Sequence, residues 1–300
     1  MHPFQRTELL LGRTAFRRVV GARVMVVGIG GVGSYAVEAL ARSGVGHLSL
    51  VDFDQVCLTN LNRQLHATRR TVGASKVAIM AERVRTINPK ACVVSEQRFF
   101  DAHNAAELLA PGFDYVIDAI DNVTAKIALL AACIGRGQPV LSAMGAGGRT
   151  DPTRVRVTDI SRTEKDPLAK VVRNTLRKNG IVSGIECVWT DEEPSSLDPD
   201  VQDEFHCICP SGENDHHTCS HRNVVQGTVS WMPAIFGLTL AATALNRLVG
   251  RPVLSSDRMP RVGQPPRKKA RWNMRSAPAA IEAGARLERT EPGVGSAKTA

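Results

Sequence analysis

From residue 23 onward, short β-branched runs alternate with longer stretches whose apolar residues recur at spacings of three and four. That rhythm predicts parallel strands joined by helical crossovers, an α/β fold with a Rossmann-like, doubly wound, mostly parallel sheet. Strands are expected at 23–27, 47–52, 92–96, 114–120 and 139–145. A helix follows the first strand through Arg42, and another lies around 126–136. Over 75–88 the positions Val77, Met80, Val84 and Ile87 share one helical face, and Pro89 ends the pattern. After Gly148 the rhythm changes: 154–159 and 185–190 read as strands flanking a helix at 167–178, either a smaller appended lobe or a continuation of the sheet. Residues 191–222 are polar, with no period that would bury a face, and read as a long loop. A last helical stretch covers 227–250.

Composition sharpens this picture in two places. Of 300 residues, 43% are hydrophobic and 22% charged, enough apolar material for a sizeable core. The formal net charge of +9 is concentrated at the end: residues 251–300 carry 11 Lys/Arg against 4 Asp/Glu, leaving the first 250 close to neutral. That end also holds 6 of the 16 prolines and few large aliphatics, so it is expected to be a disordered basic tail after a smaller C-terminal extension of the fold. Attraction for nucleic acid must then come from local patches or from the tail, such as PPRKKAR. Seven cysteines, an odd number, and an N-terminus without an apolar export core suit a reducing, cytoplasmic setting. The longest apolar stretch, 229–245, is broken by Trp231, Pro233, Gly237 and threonines, and reads as a buried helix rather than a membrane span.

The chemistry starts at the first turn. Gly28, Gly30 and Gly33 make G-x-G-x-x-G between a predicted strand and helix, with Gly31 beside them, a setting for phosphate against free helix-start amides. Asp52, 19 residues after Gly33 at the end of the second strand, can accept from ribose hydroxyls. The same geometry serves NAD and ATP. The following segment, VDFDQVCLTNLNRQ, adds Asp54, Asn60, Asn62, Arg63 and Gln64, with Lys76 twelve residues further on. A nicotinamide site has no need of that much phosphate-directed charge. Arg63 and Lys76 can neutralise a triphosphate, and Asp121, in DAIDN, can hold Mg²⁺.

These four motifs in order, GxGGVGS, DxDxVxxxNxNRQ, GASK and DAIDN, resemble the ubiquitin-activating-type adenylating superfamily of ThiF, MoeB and HesA relatives. Within it, RTELLLG near the start, the segment 144–178 and GTVSWMPAIFGLTLA look like the branch that dehydrates threonylcarbamoyladenosine in tRNA. The resemblance implies carboxylate adenylation by ATP, with Asp52 and Asp54 on the ribose and adenosine side, Asn60, Arg63 and Lys76 on the phosphates and Asp121 on Mg²⁺. It also implies that Arg6 reaches the nucleotide of a neighbouring subunit, making a homodimer. The chain then divides into an N-terminal interface segment 1–22, an ATP-binding domain 23–148, a substrate and dimerisation part 149–250, and the tail 251–300. For tRNA, Lys165, Lys170, Arg173, Arg177 and Lys178 offer a basic helix face.

Alternatives stay open at this point. Cys207, Cys209 and Cys219, with nearby histidines, could hold Zn²⁺, although C-x-C is a poorer chelate spacing than C-x-x-C. Cys219 could instead accept an acyl group, or the loop could be a reduced, non-catalytic one. Rival functions are adenylation of a sulfur-carrier or ubiquitin-like protein C-terminus, a NAD-binding reductase, and a non-catalytic tRNA scaffold; a sulfur-relay protein is a further possible partner.

Overall fold

The computed structural model describes residues 2–203 and 227–253. The chain opens with two helices, α1 (Gln5–Leu11) and α2 (Arg13–Gly21), in a stretch where periodicity predicted no element. α2 buries Phe16 and Val19, whereas α1 buries nothing and leaves Leu9 and Leu10 exposed.

The alternating unit then follows as β1 (Arg23–Val27), α3 (Gly33–Ser43), β2 (His47–Val51), α4 (Lys76–Ile87), β3 (Cys92–Glu96), the short α5 (Ala105–Leu108), β4 (Tyr115–Asp118), α6 (Val123–Arg136) and β5 (Val140–Ala143). Next come β6 (Val155–Asp159), α7 (Pro167–Lys178), β7 (Glu186–Thr190), α8 (Pro199–Asp203) and α9 (Trp231–Leu248). The seven strands among the described residues form one sheet in the order β3-β2-β1-β4-β5-β7-β6. Every pairing is parallel except β6 with β7, so the stretch after Gly148 continues the sheet and ends it with an antiparallel edge.

Each face of the sheet is covered by helices, and β1 shows why its run of apolar residues is unbroken. Val24 and Val26 enter the core shared with α3, α4 and α9, while Met25 and Val27 enter the one shared with α6 and α7. A strand buried on both faces needs apolar residues at every position. The strand order runs outward from β1 in one direction and from β4 in the other, which opens a crevice at their carboxyl ends. Among the described residues no helix is long and apolar enough to cross a membrane.

Candidate active site

A cleft of about 1270 Å³ occupies that crevice. Its floor begins with the turn after β1. Gly28 has φ +88°, and a Cβ there would sit 2.6 Å from the Ala119 carbonyl oxygen, so only glycine lets the turn cross the end of β4. Gly33 is pressed against the Gly28 carbonyl behind the turn and does not line the cleft. Gly30 differs: its missing side chain would meet nothing nearer than Gln64 Nε2 at 3.8 Å, and the space in front of it belongs to the cleft. Gly31 lines the cleft too, backed by Pro233 and by the stem of Arg63.

Asp52 is tied to this turn. Its carboxylate accepts from Ile29 N–H at 2.5 Å and from Asp54 N–H at 2.8 Å, coupling the end of β2 to the glycine loop. Burial raises its pKa, against the opposing field of Lys76. Residues 54–56 then fold back onto 73–76 through a bridge between Gln55 and Ser75 and a bond from Lys76 N–H to Asp54 O. This brings Lys76, at the start of α4, onto Asp54: Nζ donates to Oδ2 at 2.7 Å. Burial by itself would lower the Lys76 pKa; the charges of Asp52, Asp54 and Asp121 outweigh it and raise the value, so the cation is kept.

Arg63 lines the same cleft and donates to Thr59 O and Asn62 Oδ1, both at 2.9 Å. Asn60 and Gln64 are buried in the wall, Asn60 accepting from Cys57 N–H. Asn62 does not line the cleft; its amide donates to Thr228 O. Asp121 stands exposed on the cleft in the turn after β4, which Asp118 braces by accepting from Ile120 N–H and Asn122 closes by capping α6. One carboxylate fits Mg²⁺, which usually takes one or two protein carboxylates and completes its shell with phosphates and water. Arg6 is exposed on α1 and does not line this cleft. Cys207, Cys209 and Cys219 lie outside the described residues, as does the tail beyond residue 253.

At the cleft and directly behind it, two charged pairs among the described residues escaped the sequence reading. Lys126, on α6, donates to Asp118 at 2.6 Å, with both side chains fully buried. The visible signal was a lysine on the apolar face of TAKIALLAACI. Arg149 and Asp166 form the second pair and line the cleft beyond β5. Burial lowers the Arg149 pKa, opposed by the charges of Asp166 and Glu192. No local motif marks either residue.

With this geometry in view, the family model described as "ThiF family" matches residues 4–278. The chain belongs to the ThiF family. This ThiF-family chain is similar to the tRNA threonylcarbamoyladenosine dehydratase of Bacillus subtilis, 42% identical over 240 residues, which are 80% of this chain and 92% of that one. Its fold is similar to the crystal structure of the Escherichia coli tRNA N6-threonylcarbamoyladenosine dehydratase, TcdA, in complex with ATP: TM-score 0.71 and 37% identity, covering 83% of this chain and 94% of that one. The Escherichia coli molybdopterin-synthase adenylyltransferase is 39% identical over a shorter region, 53% of this chain and 62% of the relative.

Proposed function

We propose that this chain is an ATP-dependent dehydratase that cyclises threonylcarbamoyladenosine in tRNA by way of an acyl adenylate. One observation carries the reading. A ThiF-family chain spanning 92% of a dehydratase relative brings its glycine turn, Arg63, Lys76 and Asp121 to a single cleft.

The threonyl carboxylate attacks the α-phosphate of ATP, the bond to the β-phosphate bridge breaks, and pyrophosphate leaves. Hydroxide, a poor leaving group, has thereby been exchanged for AMP, a good one. Arg63 and Lys76 neutralise the charge that builds on the phosphates. Asp121 would hold Mg²⁺, whose charge supplements theirs when it is bound. The carbamoyl group then closes the ring onto the activated carbon; because both lie on one nucleoside, proximity favours that step over hydrolysis. No thiol intermediate is needed for this route. In a homodimer, Arg6, exposed and outside its own cleft, reaches the nucleotide of the neighbouring copy.

For tRNA, α7 presents Lys170, Arg177 and Lys178 exposed, while its first turn and Val171 line the cleft. Arg173 serves it less directly, since it donates to Thr163 O at 2.7 Å. Lys165 lies 3.9 Å from Glu193.

Incubation with ATP and tRNA carrying threonylcarbamoyladenosine, followed by mass spectrometry of the nucleosides, should give the cyclic product with stoichiometric AMP and pyrophosphate. Asp121→Ala and Arg63→Ala should abolish product while circular dichroism stays unchanged; full turnover by either variant would overturn its assigned role. Pyrophosphate release only with a small carrier protein would favour adenylation of a protein C-terminus instead.

A further inference from the structure

Among the parts of the cleft that the nucleotide residues do not account for is the wall made by residues 143–147 and Arg149, after β5, with Asp166 and the first turn of α7. Arg149 clamps this segment from within. Only 3% exposed, it donates through Nη1 to Gly145 O at 2.7 Å and Gly147 O at 3.0 Å, and through Nε to Glu192 O at 3.1 Å. Asp166 completes the clamp by accepting from Gly145 N–H at 3.0 Å and, through its other oxygen, from Ala169 N–H at the start of α7. A Cβ on Gly145 would stand 2.7 Å from Arg149 Nη1, so the glycine makes room for the guanidinium.

The clamp has a stereochemical consequence. Among the described residues every peptide bond is trans, and in a trans peptide the carbonyl and the following N–H point in opposite directions. With Gly145 O held on Arg149, the N–H of Ala146 is turned away from the guanidinium. Ala146 is buried in the cleft wall, and among the described residues its amide has no acceptor. Arg149 Nη2 makes no hydrogen bond but faces Asp166 Oδ2 at 3.6 Å, so the unpaired donor at this wall is the Ala146 amide. Backbone donors are nearly always paired, and one with no protein acceptor on a cleft wall is available to a ligand oxygen.

We propose that the Ala146 amide receives the acyl oxygen of the adenylated substrate during ring closure, and that Arg149 is the positioning residue that aims it. This rests on the adenylation reading above. As the carbamoyl group bonds to the acyl carbon, the carbonyl π pair moves onto the acyl oxygen. It returns as the bond from that carbon to the AMP oxygen breaks, AMP leaves with the bonding electrons, and the carbamoyl N–H proton passes to solvent. A fixed donor is most effective at an oxygen whose charge grows in this way.

The test replaces Ala146 by lactic acid, which turns the amide into an ester and deletes the N–H while keeping the methyl group. In single turnover with ATP and tRNA carrying threonylcarbamoyladenosine, ring closure should slow by about 10²-fold. Pyrophosphate release should stay within about twofold of wild type, and hydroxylamine should trap the accumulated adenylate as a hydroxamate. Arg149→Met should show the same split; where it fails to fold, the ester variant decides alone. Equal slowing of both half-reactions, or slowing of neither, overturns the proposal. Absence of pyrophosphate from the wild-type protein would instead overturn the adenylation reading, and this proposal with it.

Discussion

Two Asp–Lys pairs, built from the same chemistry at almost the same distance, take opposite parts in this molecule. Lys76 lies 2.7 Å from Asp54 and Lys126 lies 2.6 Å from Asp118. The Lys126 ammonium is saturated, donating to Asp118, to Ser142 Oγ at 3.4 Å and to Ala143 O at 3.0 Å, and it does not line the cleft. Lys76 lines the cleft, and among the described residues Asp54 is the single acceptor for its Nζ, so donors are left for a phosphate. What separates the structural cation from the one proposed to bind phosphate is access and unfilled donor capacity, since both are buried. Lys126 bolts α6 to the ends of β4 and β5, and through Asp118 it braces the turn that carries Asp121.

That contrast can be broken most forcefully at Lys126. Lys126→Met strands Asp118 as an unpaired buried charge, and urea denaturation should show a loss of about 3–5 kcal/mol. A loss under 1 kcal/mol would mean that the pair is not the bolt described here. Lys76→Met should invert the pattern: pyrophosphate release falls about 10²–10³-fold, while stability drops by less than half as much as in Lys126→Met. Comparable stability losses in the two variants would erase the distinction.

Over the window from pH 6.5 to 5 the smallest effect comes from His66, whose burial, reinforced by the nearby Lys76 charge, lowers its pKa to about 3. In the unfolded chain the imidazole titrates at its ordinary value, 6.5, and binds a proton that the folded state refuses. Stability is therefore full above pH 6.5 and falls as the pH drops from there toward 3, by at most about 1.4 kcal/mol per pH unit. Between pH 6.5 and 5, before most carboxylates titrate, H66Q should flatten the slope. An unchanged slope would assign it to other groups.

Much of the fold was legible locally. β1 and α7 fall at the bounds their periodicity predicts, and the end of α4 falls next to Pro89. The phosphate-type turn was legible as well, because Gly28 must adopt a left-handed φ and Asp52 follows at the end of the next strand. The helix α1 was not, since a short helix with no buried residue carries no apolar stripe to read. Nor was the course of the chain after Gly148. The register of β7 on β5 joins Leu141 to Glu186, a pairing that no window of adjacent residues contains.

The amino-acid order by itself determined the alternation of strand and helix, the glycine turn, and the set of charged residues available for phosphate, because periodicity and backbone φ are properties of near neighbours. Tertiary structure alone decided which charges face the cleft. Lys76 meets Asp54 only because two loop segments fold together; Lys126 is shut beneath the turn, and Arg149 reaches the carbonyls of Gly145 and Gly147. Access to the cleft and hydrogen-bond saturation arise when distant segments come together, and they separate the cation proposed to bind phosphate from the structural one.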